Sequence, residues 1–238
     1  MNHRPLLIVL RELRVSLRGI LIALPLLSVT IFLLSPRLLL FLQERLTGNL
    51  QDDQAGKLYF FSVAEPFLAH AKLSLAAACF LLMPWLMLAL WRAAARPFQV
   101  SRLFVTAMIL VTTLLFYAGA AFCFFVTLPF GIKFLLGFSS AELQAIISIN
   151  KFVEFVVLFI LAFGLVFELP VTMVFLGKTG LCGRGFFQRN RRYAILVIAI
   201  LAAVLTPTPD VFNMALMGAP LYLLYESGII IMKLARIP

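Results

Sequence analysis

The chain has 238 residues, of which 63% are hydrophobic and 13% charged, and it carries a formal charge of +10. Soluble domains run nearer half apolar and a quarter charged, and at this length a compact fold leaves much of its surface uncovered, so a soluble domain is excluded and an integral membrane protein expected. The basic residues sit in short clusters between apolar runs, which reads as a topology signal and not as a nucleic-acid surface.

Spans are read as charge-poor stretches approaching the roughly 20 residues needed to cross a bilayer. In chain order they lie at about 19–35, 67–91, 103–130, 152–177, 193–207 and 211–232. The first is closed by Pro36 and Arg37. The second is entered near Pro66 and Phe67. The fourth is interrupted by Glu168 and the sixth by Glu226, and a turn of Thr206, Pro207, Thr208, Pro209 and Asp210 separates the last two. The chain is expected to form one transmembrane domain over 1–238, all-α and polytopic, with six helices. Short helices are expected in the loops 36–65 and 133–150, the first supported by the apolar run 38–42. The stretch 193–205 rises only about 20 Å at 1.5 Å per residue, against a hydrocarbon core near 30 Å, so the fifth span looks too short.

An even number of spans puts both termini on one side. With the N terminus inside, fourteen of the 20 Lys and Arg fall on inner segments, while seven of the ten acids fall outside. The bias places both termini in the cytoplasm. The three cysteines, Cys79, Cys123 and Cys182, and the two histidines, His3 and His70, have no metal-site spacing. No metal, cofactor or catalytic residue is expected.

Two carboxylates stand out. Glu168 lies within an apolar run, where an ionised, lipid-facing acid costs at least a few kcal/mol. It is expected to face a polar cavity, to pair, or to stay protonated, and it is read as a site on a substrate path; the alternative is an interhelical hydrogen bond or a marker of a kink at Pro170. Glu12 is the only acid in a basic N-terminal segment holding Arg4, Arg11, Arg14 and Arg18. Such a carboxylate can receive a guanidinium in bidentate geometry, or can pair within its own helix. Asp210 reads as an N-cap for the last helix or as a partner site, and the cluster 189–192 as a topology determinant.

Several stretches together resemble one family. They are Glu12-Leu13-Arg14, Glu65-Pro66-Phe67, Leu115-Phe116-Tyr117-Ala118-Gly119 and the run from Phe163-Gly164 to Phe167-Glu168-Leu169-Pro170. Arg191-Arg192-Tyr193, the 206–210 turn and Ala219-Pro220-Leu221 with Leu224-Tyr225-Glu226 complete the set. Their order and spacing resemble TatC, the multispanning subunit of twin-arginine protein translocase. The resemblance implies a concave, glove-like bundle of six spans in the cytoplasmic (inner) membrane. It implies recognition of the twin-arginine signal peptides of folded precursors through the N-terminal Glu, here Glu12 beside Leu13 and Arg14, together with the first inner loop, here Ser101 and Arg102. It further implies single-span partners of the TatA and TatB type, other copies of the chain, and a drive from the proton-motive force. Glu168 would line the concave face. Partner helices would dock near Thr206, Asp210, Asn213 and Met214.

The sequence departs from the family pattern at several places. Ser101 stands where many members carry a loop Glu, and no other acid lies in 92–102. Val9 replaces the usual His, Ser16 a basic residue, and Asn213-Met214 a polar Ser-Gln pair. On a basic inner face only a locally placed acid attracts an arginine pair, which favours Glu12 for binding. The main rival class is a proton-coupled secondary transporter of a small solute, with an intramembrane Glu beside a Pro-broken helix. Such proteins have related halves and more spans; no repeat is visible here. A membrane enzyme is disfavoured because neither His is near a nucleophile or metal ligand. A pure scaffold subunit would share the receptor's fold.

Overall fold

The computed structural model describes residues 4–48, 58–98, 100–137, 146–205 and 211–237, and for 4–13, 15, 135, 204, 205, 211–213 and 216 the backbone alone. It is almost entirely helical. The helices are α1 (Arg4–Phe32), α2 (Ser35–Thr47), α3 (Glu65–Ala95), α4 (Arg102–Phe122), α5 (Leu128–Leu136), α6 (Ile149–Val166), α7 (Leu169–Lys178), α8 (Arg184–Arg189), α9 (Arg191–Leu205) and α10 (Val211–Leu234). Four helical runs among the described residues are long and apolar enough to cross a membrane: Ser16–Thr47, Glu65–Phe98, Arg102–Phe134 and Ile149–Lys178. These correspond to the first four expected spans. Helix α9 has 15 residues, about 22 Å of rise, in line with the short stretch read from the sequence. The 206–210 turn lies outside the described residues.

Contacts divide the chain into two units, each discontinuous in sequence: Met1–Pro97 with Ala121–Leu161, and Phe98–Ala120 with Ala162–Pro238. In the first, α1 packs along α3. Helix α2 begins where Pro36 occupies its first turn, a position where a missing N–H costs nothing. It buries Leu39, Leu42 and Leu46, and Phe41 stacks on Phe124 at 5.9 Å between centroids. This is the loop helix expected from the run at 38–42. Buried Ser35 anchors the α1–α2 corner: its hydroxyl donates to the Phe32 carbonyl at 2.7 Å and lies 3.0 Å from Nδ1 of His70 on α3.

Two residue pairs form a parallel ladder in the same unit, Leu58 beside Ile147 and Tyr59 beside Ser148, as β1 (Leu58–Tyr59) and β2 (Ile147–Ser148). Glu65 holds the ladder to the start of α3, accepting the Phe61 N–H at 3.0 Å and the Ser148 hydroxyl at 3.4 Å. One turn or two further along, Lys72 donates to Glu154 at 2.8 Å and to Asn150 at 3.0 Å, tying α3 to α6.

Two prolines shape the longer runs differently. At Pro129 the helix stays continuous through a π-turn at Cys123–Thr127, where the Leu128 N–H reaches back to the Cys123 carbonyl. At Pro170 the helix breaks. Phe167 still bonds the Phe163 carbonyl at 3.0 Å, Glu168 makes a tighter bond to Leu165 at 3.1 Å, and α7 starts after it. Proline supplies no N–H in either case; the local turn decides whether the freed carbonyl is bypassed by a wider loop or ends the helix.

Within the second unit, α10 packs against α7, α8 and α9. The motif residues at its centre are structural: Leu221 is buried, and the buried Tyr225 donates its hydroxyl to the Phe187 carbonyl at 2.8 Å, fixing α8 against α10. Helix α7 ends in a Schellman motif: the Gly180 N–H bonds the Gly177 carbonyl at 3.1 Å and the Leu181 N–H the Leu176 carbonyl at 3.0 Å, with Gly180 at φ +76°.

Candidate functional site

The residues singled out in the sequence fall in four places. Glu12, Leu13 and Arg14 lie on consecutive positions of α1, inside the helix and ahead of its membrane-length part. Arg14 is exposed; the side chains of Glu12 and Leu13 are outside the described set.

Ser101 and Arg102 stand at the start of α4, and both are exposed. The Ser101 hydroxyl accepts the Phe104 N–H at 3.4 Å, and its carbonyl accepts the Val105 N–H at 3.1 Å. Ser101 thus behaves as an N-cap, one of the residue types that satisfies the otherwise orphaned first-turn donors. A glutamate at this position would bring charge favourable to the same helix end but a weaker cap. Ser101 therefore has a local structural role of its own.

Glu168 occupies the break between α6 and α7. Its carbonyl accepts the Thr172 N–H and the Thr172 hydroxyl, both at 3.0 Å. The side chain is 8% exposed, and neither carboxyl oxygen has a hydrogen-bond partner among the described residues. Of the three expectations for this residue, pairing with a described side chain is not found. A buried acid without a partner is costly in a membrane, and it offers hydrogen-bonding capacity to whatever reaches it.

Glu226 and Arg191 are brought together. The sequence marked them separately, one as an interruption of the sixth span and the other within a basic cluster. They form an ion pair at 2.9 Å between α9 and α10, and Tyr222 donates its hydroxyl to the other Glu226 oxygen at 3.0 Å. Arg192 engages its neighbour Tyr193. Its guanidinium lies 4.8 Å from the centroid of the Tyr193 ring and donates to the Tyr193 hydroxyl at 3.1 Å. The Lys72–Glu154 pair was not singled out at all, because its partners are 82 residues apart and share no local pattern. Of the residues expected to meet partner helices, Thr206 and Asp210 lie outside the described residues, Asn213 is on α10 with its side chain undescribed, and Met214 is half-buried.

Comparison with known proteins decides the family. The profile described as Sec-independent protein translocase protein (TatC) matches residues 8–220. The chain belongs to the TatC family. A TatC from Carboxydothermus hydrogenoformans is 39% identical over 181 residues, 76% of this chain and 74% of the relative. A TatC from Desulforapulum autotrophicum is 36% identical over 175 residues, 73% of this chain, and the chain spans 64% of that relative's length. A crystal structure described as the twin-arginine translocase receptor TatC superposes with a TM-score of 0.82 at 30% identity, covering 96% of this chain and 99% of that one. The relatives carry the name of a translocase component, a transport role, and the TatC fold is found here along nearly the whole chain. The family motifs map onto observed contacts: Glu65 on the ladder, Tyr225 on α8, Glu226 on Arg191.

Proposed function

We propose that this chain is the receptor subunit of a twin-arginine translocase. It has six spans and both termini in the cytoplasm, sits in the cytoplasmic membrane as a single transmembrane domain, and is not an enzyme. Its cytoplasmic rim binds the signal peptides of folded precursors, with Glu12 accepting an arginine of the pair and Leu13, Arg14, Ser101 and Arg102 forming the surroundings. Single-span proteins of the TatA and TatB type, and further copies of the chain, join it near 206–214, and the proton-motive force drives transport. Glu168 supplies a hydrogen-bonding group within the membrane to a segment inserted there.

The observation that carries this reading is the isolation of Glu12. It is the one acid across the N-terminal segment and the stretch 92–102, among seven arginines. An arginine pair is repelled by such a rim everywhere except at a carboxylate, where the bond is charge-assisted and can be bidentate. Crosslinking of a twin-arginine precursor to the membrane-embedded chain tests it. Glu12→Ala and Glu12→Arg should abolish the crosslink, and an undiminished crosslink would sink the assignment of Glu12. Complementation of a strain lacking its own TatC, scored by export of a twin-arginine reporter, tests the function as a whole. Single cysteines at the two ends, probed with a membrane-impermeant thiol reagent in intact cells, should stay unlabelled if both ends are cytoplasmic.

A further inference from the structure

The second unit carries an apolar groove of about 560 Å³ beside α9, walled by Leu169, Phe186, Asn190, Tyr193, Val197 and Leu201 among others. Phe186, Tyr193, Val197 and Leu201 are all exposed. From Asn190 to Leu201 the groove follows eleven residues of helix, about 17 Å, close to the half-thickness of a hydrocarbon core, about 15 Å. The groove is open along one side and lined almost wholly by apolar atoms, so a hydrocarbon chain can lie along it.

One end of the groove is charged. Arg192 lies over the ring of Tyr193, a groove wall, with its guanidinium 4.8 Å from the ring centroid. Exposed Arg189 is next to Asn190 on the same end. Glu226 on α10 is already engaged by Arg191 at 2.9 Å and by Tyr222 at 3.0 Å, so it does not cancel these two charges. The other end is lined by the apolar side chains of Leu169 and Leu201. A slot one leaflet deep, apolar below and cationic at the rim, matches an amphiphile with an anionic head.

We propose that this groove binds one anionic phospholipid, with an acyl chain along α9 and the headgroup phosphate against Arg189 and Arg192. Basic sites between membrane helices recognise anionic headgroups in this way. The lipid fills the space beside the short α9 and seats the α8–α9 corner at the membrane surface. Only the choice of leaflet, the cytoplasmic one, rests on the topology proposed above; the thiol-labelling experiment tests that choice, and lipid retention tests the site, so the two fail separately.

The test is native mass spectrometry of the full chain in detergent, titrated with palmitoyl-oleoyl phosphatidylglycerol or with the phosphatidylcholine of the same chains. Wild type should retain one phosphatidylglycerol in preference to phosphatidylcholine. Each arginine near the surface contributes about fivefold, so Arg189→Gln with Arg192→Gln should lower the preference roughly 25-fold. Arg45→Gln, an exposed arginine on α2, should leave it unchanged. Val197→Trp, which fills the slot, should reduce retention of both lipids. If the double variant loses fold, a phosphatidylglycerol bearing a photoreactive group at its chain end decides on wild type alone: labelling should fall on the peptide 193–201. An unchanged preference in the double variant, an equal loss in Arg45→Gln, or labelling confined to other helices would overturn the site. So would displacement of the lipid by a purified single-span partner that crosslinks at Val197.

Discussion

Replacing Gly119 with alanine should loosen the packing that positions Glu168. A β-carbon at Gly119 on α4 would stand 2.6 Å from Cγ of Phe167, 2.8 Å from its Cβ and 2.8 Å from the carbonyl oxygen of Phe163. Phe163 is buried, and its carbonyl is held by the Phe167 N–H at 3.0 Å. Relief therefore means moving a backbone, not swinging a flexible side chain. Overpacking of this kind costs about 1–3 kcal/mol, and small residues are what let membrane helices approach so closely. Gly131 on α5 is the control, because nothing lies within 4 Å of a β-carbon there. Both changes gain the same intrinsic helix preference of alanine over glycine, about 0.5–1 kcal/mol. Their difference isolates the clash: Gly119→Ala should be about 1–3 kcal/mol less stable than Gly131→Ala. Reversible unfolding of the purified chain in mixed micelles measures it. Coincident unfolding of the two variants would refute the close approach of α4 to the end of α6. Phe167 immediately precedes Glu168, so reporter export should fall with Gly119→Ala and not with Gly131→Ala.

Other expectations follow from single side chains. Glu168→Gln should unfold at the same midpoint as wild type or a higher one, since it removes an acid with no partner among the described residues, while Glu168→Arg should cost about 2.5–3.5 kcal/mol; equal destabilisation by both would mean that the carboxylate has a partner. The half-exposed Arg191–Glu226 pair should contribute less than about 1 kcal/mol, and exchanging its ends in Arg191→Glu with Glu226→Arg should recover most of what either single change loses in a double-mutant cycle. Arg236, at φ 52° after α10, sits in the left-handed region that L side chains resist by about 1–2 kcal/mol; Arg236→Gly should therefore raise the unfolding midpoint, and a lowered one would show that its side chain is held. Ser101→Glu should raise precursor affinity in a binding titration if the family's loop acid is what this chain lacks, and unchanged or lower affinity would show that another group has taken over.

The four longest spans were legible because bilayer thickness is written directly into the length of an apolar run. The α6–α7 break was legible for a similar reason, since Pro170 removes a donor wherever it stands. Pro129 shows the limit of that signal: the same lost donor yields a π-turn there and an uninterrupted helical run. The two-residue ladder left no trace in the sequence, being too short for any alternation to register. Ion pairs such as Lys72–Glu154 and Arg191–Glu226 join positions 82 and 35 apart, and nothing local marks one partner for the other. In the sequence Ser101 stands out only as the absence of an acid; the structure reveals that its hydroxyl caps α4.

The interleaving of the two units has a consequence for biogenesis. Helices α1 and α3 can pack as soon as residues up to Ala95 have emerged. Glu65 and Lys72 cannot find Ser148 and Glu154 until 83 and 82 further residues have been made, and the intervening Phe98–Ala120 joins the other unit. At about 5–20 residues per second, that leaves a delay of roughly 4–16 s. During it the Lys72 ammonium and the Glu65 carboxylate sit at one end of a nascent helical hairpin without those partners. The hairpin must be held at the water interface for that time, and the parallel ladder acts as a late clasp whose closure marks the first unit as assembled.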